Sequence, residues 1–417
     1  MIPHESDTVE VLAPAGNFAC LAAALQGGAH AIYFGVGTLN MRAGSNVNFT
    51  LDDLPEVVQR CHSAGVRCYL TANTIVYDNE LESLRNLLQS AKSAGVDAVI
   101  ASDQAVIIMA KELGLPVHIS TQLSISNRET LRFYSQWADT MVLARELTLE
   151  QVADLHSFII ENDIRGPKGQ PVRLEVFVHG ALCMAISGKC YLSLHDAYRS
   201  ANRGACVQIC RRAYTLTDKE TGNAIDVENE YLMSPKDLST IHILDRILAA
   251  GVRVLKIEGR ARSAEYVKTA TRCYREAVEA IATGTYTPER IAEWEQALAG
   301  VYNRGFWEGY YLGRKRGEWA QQYGSCATER KRIIGVVTNY FSRLGVAEVR
   351  VEAAPLREGA SLYIIGDTSG VVEVVAKGLR IDDGQVDCVP QQTVCSFRVP
   401  ARVRRGDRVF LREFLKS

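Results

Sequence analysis

The 417-residue chain has no run approaching the roughly 18 uninterrupted apolar residues that a membrane helix needs, and its opening MIPHESDTVE lacks a basic segment followed by an apolar one. The expectation is therefore a cytoplasmic chain with no membrane partner. Charge of one sign is also missing. With 47 Lys and Arg against 48 Asp and Glu, the net charge is −1, so no whole-molecule field draws the chain to nucleic acid and any basic surface must be local. No G-x-G-x-x-G turn follows the first strand-like run, which argues against a dinucleotide-binding sheet. No G-x-S-x-G elbow occurs, and none of the eight histidines stands beside a serine in a way that signals a catalytic triad. At 47% hydrophobic and 23% charged residues, the composition excludes disorder, collagen and coiled coil as global descriptions.

What is present is a repeating texture. Short β-rich runs recur at Val9–Pro14, Ala31–Gly35, Arg67–Ala72, Ala98–Ser102, Val117–Thr121, Thr140–Arg145, Leu174–Gly180 and Val252–Gly259, each followed by an amphipathic helical pattern. Several are preceded by the same phrase, as in QGGAHAIYF, SAGVRCYL, SAGVDAVI and AAGVRVLKI, where Gly caps a helix before the chain turns into a strand. Eight such units predict an α/β fold of the (β/α)8 TIM-like class rather than a doubly wound sheet. The barrel is expected over 1–284, with a long insertion at 181–251 between strands seven and eight, a length that usually carries function. A polar helical connector is expected over 285–330. From 331 to 417, short β-branched runs between turn residues predict a small antiparallel β-domain. From Lys331 onward there are 14 Lys and Arg against 10 Asp and Glu. The arginine-dense run Arg398, Arg402, Arg404, Arg405, Arg408 and Arg412 is a solvated face or a binding edge for RNA phosphates.

In such a barrel the active site lies at the carboxyl ends of the strands. There the sequence delivers Asn73, Gln122, Arg145, His179, Lys256, Glu258, Arg260 and Arg262. Alternation along KIEGR puts Lys256 and Glu258 on one face, where a buried pair would need each other, either as a layer filling the barrel or as substrate contacts. Four cysteines, Cys183, Cys190, Cys206 and Cys210, fall within 28 residues just past strand seven. Soft ligands so placed suit zinc or an iron-sulfur cluster, and the absence of paired C-x2-C hooks favours the cluster. Cys20, Cys61, Cys68, Cys273, Cys326, Cys388 and Cys395 are scattered and read as core thiols.

From Glu175 to Ser193 the chain reads Glu-x-Phe, then Gly-Ala-Leu-Cys, four residues, Gly-x-Cys, and a hydrophobic residue followed by Ser. This resembles the signature of the peptidase U32 family, the collagenase-like peptidases. LAPAGN from Leu12, YFGVG from Tyr33, STQLSISN from Ser120, SPKDL from Ser234, KIEGR and NRGFWEGYYLG from Asn303 resemble the family too. The family includes proteins named as proteases and members that bind a 4Fe-4S cluster and hydroxylate RNA or ubiquinone precursors. In layout the chain is similar to the branch that makes 5-hydroxyuridine at the tRNA wobble position with prephenate as co-substrate. The resemblance implies Cys183, Cys190 and Cys206 as cluster ligands. The family's fourth ligand follows Lys-Asp-Leu, where this chain has Ser239, leaving Cys210 or Ser239 to complete the set or the cluster to be absent. With a cluster at the rim, His179, Lys256 and Glu258 beside it are the candidate catalytic groups read from the strand ends, and Asn73, Gln122, Arg145, Arg203, Arg211, Arg212 and Arg260 the candidate substrate contacts. The expected function is tRNA uridine hydroxylation; proteolysis of a peptide substrate and a non-catalytic RNA-binding role are the alternatives.

Overall fold

A computed structural model of the protein describes residues 8–45, 48–225, 231–313, 316–382 and 384–415; the opening residues read for a leader lie outside them. Eight parallel strands follow one another around a closed barrel: β1 (Glu10–Ala15), β2 (Ala31–Gly35), β3 (Arg67–Ala72), β4 (Ala98–Ala101), β5 (Val117–Ile119), β6 (Thr140–Val142), β7 (Arg173–Gly180) and β8 (Val252–Ile257). Closure comes from β8, which pairs with both β1 and β7. The strands are short and apolar on their outer faces because they are covered by α1 (Phe18–Gln26), α2 (Leu54–Ser63), α3 (Leu81–Ala94), α4 (Gln104–Glu112), α5 (Arg128–Ser135) and α6 (Leu149–Glu161). Helix starts carry the expected polar caps, with Asn17, Asp103, Asn127 and Thr148 each accepting a backbone N–H through the side chain. At the other end of α3, Gly95 caps in the left-handed region at φ 87°, as the recurring phrase predicts.

Inside the barrel a small cluster of Leu12, Ala31, Tyr33, Tyr69, Ala98, Ile100 and Val254 is interleaved with charge. Near the amino ends, Glu10 is 1% exposed and is held by Arg67, by Arg173 at 3.5 Å and by the Tyr69 hydroxyl at 3.1 Å. One layer up, Lys256 Nζ meets Glu175 Oε1 at 2.6 Å.

The insertion after β7 contains α7 (Leu192–Ala197) and returns as a short strand, Asp237–Ser239, antiparallel to the end of β7. Then α8 (Leu244–Ala249) leads into β8, and α9 (Ala264–Thr283) closes the outer layer. The segment read as a helical connector is helical only at α10 (Pro288–Gly300). Beyond it, Phe306–Trp307 joins the barrel sheet beside Asp237–Ser239, because the apolar pair faces a cleft that the insertion leaves open. The C-terminal sheet is antiparallel and centres on β9 (Glu329–Phe341), flanked by β10 (Val346–Val351) and β14 (Arg408–Phe414), with β11 (Ser361–Gly366), β12 (Gly370–Val375) and β13 (Thr393–Arg398) further out. It has its own core, and docks on the barrel through β12: Gln26 bonds Ser369 and Val371 at 2.8 Å each, and Lys268 meets Glu373 at 3.0 Å. Among the described residues no helix is long and apolar enough to cross a membrane.

Candidate active site at the carboxyl ends of the strands

The mouth of the barrel is a charge cluster built by chain segments far apart in sequence. Glu258, just beyond β8, pairs with Arg42 from the loop after β2, and the Tyr33 hydroxyl lies 3.4 Å from its other oxygen. Arg260 is 4% exposed and donates to Thr71 Oγ1 at 2.8 Å. Arg145, at the end of β6, donates to the Ala181 carbonyl at 2.9 Å and lies 3.8 Å over the Phe177 ring. Burial alone would raise the Glu258 carboxyl, but Arg42, Arg145 and Arg260 outweigh it and bring it down to about 2. Burial and the neighbouring Arg42 lower Arg260 to about 10. Three guanidinium groups around one carboxylate leave a surplus of positive charge in a confined mouth, a setting that favours an anionic ligand.

The loop bearing Arg42 is fixed to the insertion, where Gly44 N–H donates to the Gly204 carbonyl at 2.9 Å. Arg42 also lies within electrostatic reach of Cys183, so the charged mouth and the cysteine segment are neighbours. Burial pushes the Cys210 thiol up, and Cys206, Cys183 and Cys190 push it further while Arg211 opposes them. The other three thiols are therefore all within electrostatic reach of Cys210. Cys206 Sγ accepts the Gln208 N–H at 3.4 Å and the Ser193 hydroxyl at 3.7 Å. Arg211 braces the segment by donating to the Leu182 and Pro235 carbonyls, the latter at 2.6 Å. One zinc ion at about 2.3 Å from each sulfur would gather four thiolates to about 3.8 Å from one another. No three of these sulfurs lie within 4.8 Å of each other, so as placed they do not gather round a single ion. Cys210 is the residue coupled to the other three, whereas the Ser239 hydroxyl is hydrogen-bonded to Tyr274 and 5% exposed.

A cavity of about 220 Å³ opens beside Cys183, with Arg145 and Thr121 on the barrel side and Trp307, Tyr310 and Trp319 opposite. A second, of about 570 Å³, lies against Cys206 and is lined by Arg211, Arg212, Arg304, Tyr302 and Tyr323.

Several residues expected at the mouth are elsewhere or otherwise engaged. His179 does not face the charge layer. The β7–β8 register slips between Lys256 and Ile257, and the imidazole sits against Tyr266 and Tyr274 of α9 and Phe306, with ring centroids 5.4–5.7 Å away. Neither ring nitrogen has a hydrogen-bond partner among the described residues, and burial followed by Arg262 lowers its value to about 3. Nor do Lys256 and Glu258 pair with each other: Glu175 takes the lysine and Arg42 the glutamate. Arg203 is bound by Glu80 and the Ile75 carbonyl and stacks 4.5 Å over Tyr77, which neutralises it as a ligand for phosphate. Asn73 accepts the Met41 N–H at 3.2 Å and reaches Ser120, fixing the Arg42 loop. Gln122 reaches Ser187 at 3.3 Å and packs on Gly188, where a Cβ would collide with it, so it supports the Cys183–Cys190 turn. Of the scattered cysteines read as core thiols, Cys388 is exposed on the two-residue strand Cys388–Val389, and Cys326 is only half-buried in the loop ahead of β9. Sequence reading missed Arg42, Trp307, Tyr310 and Trp319. Arg42 carried a usable signal, its place on the loop leaving a barrel strand, while the aromatic wall reaches the cavity only through tertiary packing.

Fold and site together define a (β/α)8 barrel protein with an anion-attracting mouth and a cysteine-bearing rim. Residues 16–321 match peptidase family U32, and the chain belongs to that family. It is 51% identical to a collagenase of Porphyromonas gingivalis over 401 residues, 96% of this chain and 97% of the relative. The tRNA hydroxylation protein P1 of Bacillus subtilis is 32% identical over 342 residues, 79% of this chain and 77% of the relative. The 23S rRNA 5-hydroxycytidine C2501 synthase of Escherichia coli is 38% identical over 280 residues, 66% of this chain and 40% of the relative. Collagenase and synthase are names of enzymes, and two of the three relatives are named for work on RNA.

Proposed function

We propose that this U32 protein is an iron-sulfur-dependent RNA-modifying enzyme that hydroxylates the wobble uridine of tRNA to 5-hydroxyuridine. The observation that carries the reading is the gathering of Cys183, Cys190 and Cys206 around Cys210, with Cys183 between the arginine-lined mouth and an aromatic cavity. Cys183, Cys190, Cys206 and Cys210 would hold a 4Fe-4S cluster, which supplies the electron transfer that side chains cannot perform alone. Trp307, Tyr310 and Trp319 offer stacking faces for a base turned out of its loop. Arg42, Arg145 and Arg260 offer charge for a phosphate or for a dicarboxylate co-substrate such as prephenate. The 32%-identical relative named for tRNA hydroxylation supports the RNA substrate.

The test is mass spectrometry of tRNA and rRNA nucleosides from cells with the gene deleted, restored, or restored as Cys183→Ala, alongside the visible spectrum of protein purified without air. A hydroxylated pyrimidine that disappears on deletion and stays absent with Cys183→Ala supports the reading; an unchanged nucleoside profile together with a colourless protein overturns it.

A peptidase is the second reading, favoured by the 51%-identical relative named collagenase. Against it, the described mouth offers no hydroxyl or thiol nucleophile paired with a base, and His179 is buried, neutral and unpartnered. Peptide cleavage that survives Cys183→Ala would turn the assignment to this reading.

The arginine-dense edge of the C-terminal sheet bears on the same question. Arg398, Arg402, Arg404, Arg405 and Arg408 are exposed, while Arg412 is paired with Glu329. If this edge follows an RNA backbone, replacing Arg402, Arg404 and Arg405 by Ala lowers the slope of log K against log salt by roughly 2, at about 0.7–0.9 for each phosphate no longer neutralised. Filter binding of tRNA across a salt series reads that change, and an unaltered slope marks the edge as a solvated face.

A further inference from the structure

At the end of the barrel opposite the mouth, the buried Cys68 meets a histidine and an aspartate. Along β3, alternation turns Tyr69 inward and Cys68 outward against α2, where Cys61 packs in the same outer core. Cys61 lies within interaction range of Cys68. His62 follows at the last turn of α2, with Nε2 2.9 Å from Asp97 Oδ2 and 3.9 Å from Cys68 Sγ. Asp97 stands just ahead of β4, and its carboxylate is oriented by the Cys68 backbone N–H at 2.8 Å. Among the described residues, His62, Cys68 and Asp97 are the one group whose metal-type donor atoms all lie within 4.8 Å of one another.

A surface His–Asp pair lying over core thiols would account for each contact singly. It does not account for the convergence of thiol, imidazole and carboxylate donors from three consecutive barrel segments. Tetrahedral zinc, at about 2.3 Å from sulfur and about 2.0–2.2 Å from nitrogen and oxygen, sets donors about 3.3–3.8 Å apart. The His62–Cys68 spacing is already close to that range, and the His62–Asp97 pair needs to open by about half an ångström. The mixed donor set suits zinc better than magnesium or calcium, which take oxygen ligands. The His62 side chain is 43% exposed and that of Asp97 30%, so an ion has access from solvent.

We propose that Cys68, His62 and Asp97 form a three-ligand zinc site at the base of the barrel, its fourth position open to solvent, that ties α2 to β3 and β4. This site is independent of the rim cysteines and of the RNA reading. The test uses the full-length chain with Cys183, Cys190, Cys206 and Cys210 all replaced by Ser, titrated with Co²⁺ as a spectroscopic stand-in. One Co²⁺ per chain with a thiolate charge-transfer band is expected, and adding Cys68→Ser or His62→Ala should weaken binding at least tenfold. Absence of the band, or a band that both substitutions leave unchanged, overturns the proposal. Because Cys68 is buried and its replacement can compromise folding, the half-exposed His62 supplies the second arm. Zinc bound per wild-type chain, measured by competition with a chromophoric chelator, should fall by one in His62→Ala, and an equal stoichiometry overturns the assignment.

Discussion

Lys256→Met will lower the melting temperature by roughly 6–20 °C, the largest stability loss expected from a single substitution at the barrel interior. The Lys256 and Glu175 side chains are 5% and 0% exposed and meet at 2.6 Å. Removing the lysine leaves a carboxylate enclosed with no counter-charge, which costs about 3–5 kcal/mol. For a domain of this size each kcal/mol is worth about 2–4 °C. Glu175 Oε2 already has no hydrogen-bond partner among the described residues, so nothing is poised to compensate. Burial also pushes the Glu175 carboxyl above its ordinary value, with Lys256 the main opposing influence. Without Lys256 the carboxyl takes up a proton more readily, and the loss should be smaller at pH 5 than at pH 8. The double variant Lys256→Met/Glu175→Leu should recover most of the stability, because replacing a buried pair together removes the desolvation cost of both charges. Thermal unfolding followed by circular dichroism at the two pH values checks all three statements. A single variant as stable as the parent would show that water reaches this layer.

The second large effect is acid lability that begins near neutrality. Burial first, then Lys256 and Arg173, hold His118 well below its ordinary value, and burial then Arg262 bring His179 down to about 3. Both folded-state values lie below that of the unfolded chain, so unfolding takes up protons. The stability this represents is complete above about pH 7 and is lost as pH falls through 6.5 toward the folded values. His30, brought down to about 4 by burial and Arg275, and His156, lowered by burial and Arg253, act in the same direction, and each buried group of this kind contributes up to about 1.4 kcal/mol per pH unit between roughly pH 6 and 4. Glu175, whose value is raised, works in the opposite direction near its own range. Urea unfolding at pH 7, 6 and 5 should show the decline, and His179→Phe, which keeps a ring among Tyr266, Tyr274 and Phe306, should remove up to about 1.4 kcal/mol per pH unit of the slope. An unchanged slope in that variant would mean that His179 is not held neutral.

The eight strands were legible because each is announced by local chemistry, a capping glycine followed by a short apolar run. The cysteine rim was legible for a similar reason, since its members are close in sequence and flank strand seven. The mouth was less so. Which carboxylate meets Lys256 depends on the register of β7 against β8, and one slip between Lys256 and Ile257 moves His179 out of the inward series. Alternation carries no signal for a slip of that kind. Arg42 and Trp319 reach the site from segments almost 280 residues apart, a relation that propensity and spacing cannot encode.

The small strand Phe306–Trp307, laid beside Asp237–Ser239, separates two notions of a minimal unit. A truncated chain ending with α9 would keep every stave of the barrel and the four rim sulfurs. It would lose Trp307, Tyr310 and Trp319, leaving the cleft beside Cys183 without its far side. Under the proposed function, activity therefore requires the chain at least as far as Trp319, well past the last helix that the barrel count calls for.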